Sequence, residues 1–210
     1  MGFVIAIDGP TASGKGTLAR RMGEALGFKV LDTGLLYRAV GLAAVRAGGA
    51  ASDPAYAIPA AQRLNVAQLA DDNEIRSDIA GQYASQCSVI PEVRAALLEF
   101  QRSFAAQKPG AILDGRDIGT VICPEAQLKL YVTASAEVRA QRRHAELLNR
   151  GRNVGYDDVL QDIKARDDRD TNRAVAPLRP APDAMILDTS DMTAEAVLAR
   201  ALELAREKPR

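Results

Sequence analysis

A glycine-rich segment near the amino terminus has the residue types and the spacing of a phosphate-binding loop. It runs from Gly9 to Thr17, between the apolar stretch Phe3 to Ile7 and a helical pattern. Glycines let the backbone curl so that its N–H groups converge on phosphate oxygens at a helix amino terminus, and a lysine in this position reaches the β- and γ-phosphates. We therefore predict ATP binding by Gly9, Pro10, Thr11, Ala12, Ser13, Gly14, Lys15, Gly16 and Thr17.

The residue after the lysine departs from the general motif. That motif has Ser or Thr there to bind Mg²⁺, whereas this chain has Gly16, with Thr17 next. Mg²⁺ readily keeps several water ligands. We therefore expect phosphates and water to hold the Mg²⁺ that accompanies ATP, and we assign no protein residue as a metal ligand.

Two further segments place polar side chains directly after apolar runs. Leu31 to Arg38 brings a hydroxyl group and an arginine to the end of a predicted strand, and Leu113 to Thr120 brings glycine-flanked charges to the end of another. Ligands bind at this carboxyl edge in open parallel sheets. Both segments are therefore candidates for binding the molecule that receives the phosphoryl group.

A third charged segment, Lys164 to Arg173, is predicted to be helical. On a helix, Arg166, Asp170 and Arg173 fall on one face, together with Ile163. A charged stripe that continues an apolar one should face the body of the protein. Because buried charges are costly unless they are neutralised, we expect a ligand or a partner to neutralise this face.

Short apolar strands that alternate with helices must position these segments. Strands are predicted at Phe3–Ile7, Lys29–Leu31, Ala111–Leu113, Leu128–Val132 and Met185–Leu187, and helices at Lys15–Leu26, Leu35–Arg46 and Thr193–Arg206. This alternation predicts an α/β fold with a parallel sheet of about five strands and helices on both faces.

Two regions interrupt the alternation. Residues 49–90 are polar and Ala-rich, with weak strand signals around Leu64 to Leu69, and we interpret them as an inserted, substrate-side lobe. Asn149 to Gly155 is a basic, glycine-bearing loop between two helices, which is typical of a mobile cover over phosphates. We therefore predict one domain, residues 1–210, that contains an acceptor-binding lobe at 49–90 and a lid region at 139–166.

Taken together, these segments resemble the bacterial cytidylate (CMP) kinases. The matching stretches are Ile7–Thr17, Leu31–Arg38, Asp114–Thr120 and Arg166–Ser190, including Ala176-Pro177-Leu178. The resemblance implies the adenylate-kinase-like P-loop NTPase fold with an ATP site, a CMP site and a closing lid. It also implies ATP-dependent phosphorylation of CMP, and of dCMP, in pyrimidine nucleotide metabolism.

The resemblance extends to individual residues. It implies that Lys15, Arg116 and Arg166 are catalytic, with Arg38 and Arg116 holding the acceptor phosphate and the transferring phosphoryl group. The residues that it assigns to CMP binding are Thr33, Arg38, Ser85, Arg94, Arg116, Asp117, Arg166, Asp170 and Arg173. Of these, Thr33, Arg94, Asp117 and Arg173 match positions that read the base, whereas Ser85, Arg166 and Asp170 match positions near the sugar.

The chemistry of cytosine agrees with this assignment. A carboxylate such as Asp117 can accept from the N4 amino group, and an arginine such as Arg94 can donate to N3 and O2. Uracil exchanges donor for acceptor at the positions of N4 and N3, and each wrong pairing would cost about 1–3 kcal/mol. No general base is required, because the attacking phosphate oxygen is already ionised at neutral pH, and catalysis reduces to alignment and charge stabilisation.

Two features depart from the family pattern. Thr33 stands where the family usually has Ser, which keeps the hydroxyl group and adds a methyl group. The inserted lobe is also short, since the hairpin expected after Leu64 to Val66 is truncated before Glu74 to Arg76. Acceptor closure or the choice between CMP and dCMP could differ accordingly.

Several charged residues have two interpretations. Arg139, Arg142 and Arg143 form either a solvated helix face paired with Glu146 or a set of lid arginines that contact ATP. Asp114 is either a metal partner or, as we favour, a turn-forming carboxylate. Asp8 is interpreted as structural. Thr189 and Ser190 either touch adenine or cap the last helix.

The remaining polar residues have no predicted role. We expect His144 on the surface, Cys87 and Cys123 packed inside as small apolar residues, and Asp71-Asp72 in a solvated loop. Two distant cysteines and one histidine exclude a His/Cys zinc site.

Composition narrows the possible partners. Lys and Arg number 27, as do Asp and Glu, and aromatic residues make up 4% with no Trp. Neither a global field nor stacking platforms therefore favour nucleic acid, and we expect small-molecule nucleotides as partners, with no nucleic acid and no membrane. With no signal peptide or membrane span, we expect a cytoplasmic monomer. A nucleotide-binding regulatory protein without turnover is the competing hypothesis, motivated by the Arg-rich helices.

Overall fold

Five strands form one sheet in the computed structural model, which describes residues 2–70 and 73–209. The strands are β1 (Phe3–Asp8), β2 (Lys29–Asp32), β3 (Gly110–Gly115), β4 (Leu128–Thr133) and β5 (Met185–Asp188). Their order is β2-β3-β1-β4-β5. β1 pairs in parallel with β3 and β4, and β4 pairs in parallel with β5. The predicted α/β fold with a five-stranded parallel sheet is confirmed.

The helices follow the predicted pattern closely. They are α1 (Lys15–Leu26), α2 (Thr33–Arg46), α3 (Pro54–Gln62), α4 (Asp78–Cys87), α5 (Pro91–Ala105), α6 (Ala136–Asn149), α7 (Tyr156–Asn172) and α8 (Ala194–Arg206). α1 has the predicted bounds and ends at Gly27, whose φ of 68° is the left-handed conformation that commonly ends a helix. α2 begins at Thr33, two residues before the expected start.

The chain divides into two compact units. The first consists of Met1–Val30 with Ala105–Arg210, and the second of Leu31–Phe104. The core of the first unit is built on β1, β3 and β4, whose side chains at Ile5, Ile112 and Leu130 are almost completely buried. Met22 of α1 and Leu204 of α8 pack against this core. The apolar character of β1 on both faces follows from its central place in the sheet.

The second unit has a core of its own, formed by helices. Leu36 and Val40 of α2 pack with Cys87 of α4 and Leu97 of α5. Burial raises the pKa of the Cys87 thiol to about 12, so this thiol stays protonated. The expected packing of Cys87 is confirmed, whereas Cys123 is only partly buried.

The inserted region is helical where the sequence suggested weak strands. Val66–Ala70 and Asn73–Arg76 are 3₁₀ turns, and the strand signals around Leu64 to Leu69 were therefore wrong. Asn65 Oδ1 accepts from the N–H of Ala67 at 3.1 Å, which starts a turn instead of a strand. Leu64 and Leu69 pack on the helical core. Asp71-Asp72 lie outside the described residues, and the acceptor role of residues 49–90 stays a prediction.

Gly41 sets the closest approach of α2 to α4. A Cβ atom there would lie 2.6 Å from Tyr83 Cβ and 2.9 Å from the Tyr83 carbonyl carbon. Gly41→Ala should therefore push the two helices apart and lower the free energy of unfolding by on the order of 2 kcal/mol.

Urea denaturation would measure this loss. Ala43→Ser on the exposed side of α2 is the control and should change the free energy by no more than about 0.5 kcal/mol. Equal effects of the two substitutions would contradict close packing at Gly41.

Candidate active site

The phosphate-binding loop, residues 9–17, connects the central strand β1 to α1. Its backbone needs unusual conformations, with φ of 154° at Gly9, 57° at Ala12 and 89° at Gly14. A side chain at Gly9 is excluded, because its Cβ would lie 2.0 Å from the carbonyl oxygen of Val132 in β4. The glycines thus serve the curled backbone that the sequence pattern predicted.

The first turn of α1 is prepared for an anion. Its N-cap residue is Gly14, and among the described residues no side chain caps it, whereas Ser77 caps α4 and Ser135 caps α6. The Ser13 hydroxyl is buried and has no hydrogen-bond partner within the described part of the chain. Lys15 Nζ donates to the Pro10 carbonyl at 3.1 Å, which holds its charge over the loop. An uncapped helix terminus, a buried hydroxyl donor and a lysine fit a phosphate chain.

A cavity of about 240 Å³ adjoins this loop. It is bordered by Ser13, Gly14, Thr17, Leu18, Arg142, Thr189, Met192, Ala194 and Val197. Arg142 donates to the Thr189 hydroxyl at 3.0 Å and to the Thr189 carbonyl at 2.6 Å. α8 is capped by Thr193, so the capping alternative for Thr189 and Ser190 is wrong, and their contact with adenine stays a prediction. The mixture of apolar and hydrogen-bonding walls beside a phosphate-binding loop suits the base of a nucleotide.

Arg139 is a buried connector and not part of a solvated face. Its guanidinium donates to both Asp167 oxygens, at 3.0 and 2.6 Å, and to the carbonyl oxygens of Ala134 and Thr11. The side chain is 6% exposed. The interpretation as a solvated face is therefore wrong for Arg139, because tertiary contacts between the phosphate-binding loop and α7 surround it.

Arg143 does pair with Glu146, at 2.6 Å, as the solvated-face interpretation predicted. The basic loop lies between α6 and α7, where it was predicted. The two helices pack on each other through Ala140, Leu147, Val159 and Ile163. His144 Nε2 lies 3.0 Å from the carbonyl oxygen of Val154, at the end of this loop. A lid function for residues 139–166 stays a prediction.

Two carboxylates lie at the carboxyl ends of central strands. Asp8 ends β1 and accepts from the backbone N–H groups of Ile118 and Gly119, which confirms its structural interpretation. Asp114 lies inside β3 and is 3% exposed, so the turn interpretation is wrong. A Cβ on Gly16 would be 3.5 Å from Asp114 Oδ2. A carboxylate oxygen therefore lies beside the first turn of α1.

Four of the predicted acceptor residues form two ion pairs within the first unit. Arg116 Nε donates to Asp170 Oδ2 at 2.9 Å, and Arg173 Nη2 lies 3.5 Å from Asp117 Oδ1. Burial alone would raise the pKa of Asp170, but Arg116, Arg166 and Arg173 together lower it below its ordinary value. The expected neutralisation of this face is thus achieved by the protein's own charges.

The helical periodicity predicted that Arg173 belongs to α7, but the helix ends before it. α7 ends at Asn172, and Arg173 is an extended residue with a ψ of 140°. Its Nε donates to the carbonyl of Ala176 at 2.6 Å, and the N–H of Leu178 donates to the carbonyl of Asp170 at 2.7 Å. The turn at residues 176–178 therefore fixes the arginine. Ala176, within this turn, has a φ of 50°, in the left-handed region.

Of the other five predicted acceptor residues, Arg166 lies on α7 in the first unit, and four lie in the second unit. Thr33 and Ser85 are buried. Arg38 Nη1 donates to the carbonyl oxygens of Ile75, at 3.1 Å, and Ser77, at 2.8 Å. The backbone of Ile75 and Ser77 therefore orients an arginine that the family resemblance assigns to the acceptor phosphate.

Arg94 is buried within the same unit. Its guanidinium carbon lies 5.9 Å from the centre of the Tyr37 ring, which is cation–π distance. Arg94 also donates to the carbonyl of Ser88, whose hydroxyl donates to the carbonyl of Ser85. These bonds connect Arg94 to Ser85 through Ser88. The roles of both residues in binding stay predictions.

No group of three or more His, Cys, Asp or Glu side chains within residues 2–70 and 73–209 is arranged to hold a metal ion. None of the helices in the same ranges has the length and apolar character of a membrane span.

Sequence reasoning missed the pairing of Arg139 with Asp167. It considered Arg139 only as a solvated or lid arginine and gave Asp167 no role. Nothing in the spacing of the two residues indicates that they meet.

Loss of the Arg139 side chain should destabilise the first unit. Arg139→Ala would leave Asp167, which is 25% exposed, without its bidentate partner, and we expect the free energy of unfolding to fall by on the order of 3 kcal/mol. Arg143→Ala removes an arginine from the neighbouring surface pair and should cost about 1 kcal/mol or less. Chemical denaturation of both variants checks this, and comparable losses would contradict a connecting role for Arg139.

Comparison with known proteins gives one consistent result. The family model "Cytidylate kinase" matches residues 5–207. A cytidylate kinase from Paramagnetospirillum magneticum is 57% identical over 211 residues, which cover 99% of this chain and 100% of the relative. One from Rhodospirillum rubrum is 56% identical over 210 residues, covering 98% of each.

A solved structure shares the fold at low identity. An unliganded sugar kinase from Janibacter sp. HTCC2649 superposes with a TM-score of 0.51 at 18% identity, covering 98% of this chain and 95% of the other. The family-model match over residues 5–207 and the relatives at 56–57% identity over nearly the whole length show that the chain belongs to the cytidylate kinase family.

Proposed function

We propose that this protein transfers the γ-phosphoryl group of ATP to CMP, and also to dCMP, as part of pyrimidine nucleotide metabolism. The observation that carries the proposal is the intact phosphate-binding loop, with its uncapped helix and Lys15, in a chain that matches cytidylate kinases over residues 5–207. That loop supplies donors for ATP. The family match indicates the acceptor.

The phosphate-binding loop accounts for the donor side of the reaction. Its converging N–H groups and the Ser13 hydroxyl would bind the phosphate oxygens, and Lys15 would release the Pro10 carbonyl to reach the β- and γ-phosphates. The adjoining cavity, bordered by Arg142 and Thr189, would take the adenine. The Arg142–Thr189 bonds hold both walls in place before ATP arrives.

Magnesium fits this site as a companion of ATP. The ion would shield the charge of the phosphate chain, which lowers the barrier for attack by a second anion. Thr17 and Asp114 offer oxygen atoms beside the loop, and we propose that they accept hydrogen bonds from water molecules bound to the ion. Asp114 is then a support for metal-bound water and not a turn residue.

Arginines account for the transfer step. Arg116 and Arg166 both lie near Asp170 and lower its pKa, so that carboxylate keeps a negative charge that holds two cations at one point. Such preorganised cations stabilise the charge that develops on the transferring phosphoryl group. The acceptor phosphate needs no proton removed, so positioning is the main task of the protein.

The buried pair Asp117–Arg173 supports recognition of cytosine. Asp117 can accept from the N4 amino group, and Arg173, 3.5 Å from Asp117 Oδ1, orients the carboxylate. Uracil would present a carbonyl oxygen to the same pair, so the base would offer Asp117 no donor. The competing hypothesis of a binding protein without turnover loses support from the paired state of Arg143 and Arg150, which both bond Glu146.

A coupled ADP-release assay with ATP, Mg²⁺ and a panel of acceptors tests the function. We expect strong stimulation by CMP and dCMP, weaker stimulation by UMP, and little by AMP, GMP or no acceptor. ADP release that is independent of the acceptor would contradict a kinase acting on nucleoside monophosphates. Preference for another nucleotide would keep the reaction type and replace the acceptor.

Asp117→Ala should impair use of CMP far more than use of ATP. Loss of one buried, charged base contact is expected to raise KM for CMP by about 10-fold or more, with KM for ATP nearly unchanged. Asp168→Ala is the control, because Asp168 is an exposed carboxylate on α7 that accepts a hydrogen bond from Asn172 Nδ2 at 2.7 Å. Equal increases in both KM values would place Asp117 away from the base.

A further inference from the structure

Asp8 connects the phosphate-binding loop to the segment that follows β3. It ends β1 and directly precedes Gly9. Its Oδ1 accepts from the N–H of Ile118, and its Oδ2 accepts from the N–H of Gly119, both at 2.8 Å. The residue is 4% exposed, so bulk water has no access to replace either bond.

The two N–H groups belong to an irregular element that needs such an acceptor. Residues Ile118–Ile122 form a π-helical turn, in which Ile122 and Val121 both donate to the carbonyl of Asp117. Ile118 and Gly119 are the first residues of this turn, so their N–H groups have no preceding carbonyl within it. The Asp8 carboxylate caps this turn, although it lies 110 residues earlier in the sequence than Ile118.

The turn begins immediately after two residues of the proposed acceptor site. Arg116 and Asp117 precede Ile118, and their side chains bond Asp170 and Arg173. The backbone that carries both side chains is thus fixed at its carboxyl side by Asp8. At its amino side it is fixed by the ladder of β3, where Gly115 is the register partner of Asp8.

Charged and titratable groups surround Asp8 on several elements. Arg116 and Asp117 act on it from the loop, and Tyr131 from β4. The Lys129 stem and Asp8 Oδ2 both lie within 3.4 Å of the position that a Cβ on Gly119 would take. Asp114 is the neighbouring carboxylate on β3, beside Ile7 in the register.

Ionised Asp8 costs the native state free energy. Burial raises its pKa to about 6, more than the N–H groups of Gly119 and Ile118 lower it. Because the pKa of Asp8 is raised in the folded state, its protonation stabilises the fold as pH falls through about 6. Above that pH the free-energy cost of burying the ionised carboxylate is fully present. Asp8 therefore combines this cost with two hydrogen bonds to the backbone that follows Arg116 and Asp117.

We propose that Asp8 is a positioning residue for the acceptor, which sets Arg116 and Asp117 in register with the phosphate-binding loop. The inference rests on the proposed function, since it concerns the same acceptor. The proposal places Asp8 in contact with neither substrate. It acts through the backbone of Ile118 and Gly119.

Asp8→Asn tests the proposal with a side chain of the same size. The amide nitrogen must face one of the two N–H groups, so one bond is lost. We expect the Ile118 and Gly119 amides to exchange with solvent faster by NMR. We also expect KM for CMP to rise about 10-fold, the kinetic equivalent of one charge-assisted hydrogen bond, with KM for ATP changed less than about twofold and no loss of thermal stability.

Asp168→Asn is the matched control. Asp168 is an exposed carboxylate on α7, and its Oδ1 accepts from Asn172 Nδ2 at 2.7 Å. This variant should leave both KM values unchanged. Equal increases in the KM values for CMP and ATP in Asp8→Asn, or unchanged exchange at both amides, would overturn the proposal.

The pH profile gives a second readout that a purely structural role would not produce. Wild-type KM for CMP should rise more steeply below about pH 6 than KM of Asp8→Asn, because a protonated carboxyl group loses one of its two acceptor oxygens. The phosphate of CMP also titrates near pH 6, but equally for both proteins. Identical profiles would overturn the proposal.

Wild-type turnover with CMP is measured first, because its absence would contradict the proposed function but not the role of Asp8. If CMP is not a substrate, amide exchange still decides whether Asp8 holds the segment after β3. The KM comparison is then made with the acceptor that the wild-type protein does use.

Discussion

The structure depends on keeping the first turn of α1 uncapped and accessible to phosphate. This requires a loop whose backbone curls at Ala12 and Gly14 and passes Val132 so closely that only glycine fits at position 9. The pairing of β1 with β4 fixes Val132 there. The central position of β1, the glycines and the absence of a side-chain cap on α1 among the described residues are consequences of one requirement: backbone donors must face a polyanion.

A second constraint is the burial of opposite charges in a chain whose formal charges cancel. Arg116 with Asp170 and Arg173 with Asp117 neutralise each other in places that exposure figures of 4–17% mark as largely dry. Such pairs contribute little to stability, because desolvation offsets their attraction. What these pairs fix is orientation, because each carboxylate holds its arginine in one place. Asp8 is likewise buried, but backbone N–H groups bond its carboxylate instead of an arginine.

Local patterns were sufficient to predict much of the molecule. The alternation of strands and helices, the bounds of α1 and the phosphate-binding loop all follow from short-range rules on periodicity, glycine and helix termini. The strand prediction near Leu64 failed because the intrinsic β-propensity of so short a segment is weak, and tertiary packing overrides it. Asn65 and the neighbouring helices favoured 3₁₀ turns there. Arg173 left the helical pattern because the turn at residues 176–178 binds it.

The sequence by itself determined the family, the fold class and the residue types of the site, since motifs are contiguous and their chemistry is local. Only the tertiary structure decided which charges meet. Arg139 faces Asp167, 28 residues away, and Asp8 faces Gly119, 111 residues away. Nothing in the spacing of these residues encodes such contacts, because they arise from the register of the sheet and the packing of α6 on α7. Pairing partners of buried charges are properties of the folded chain.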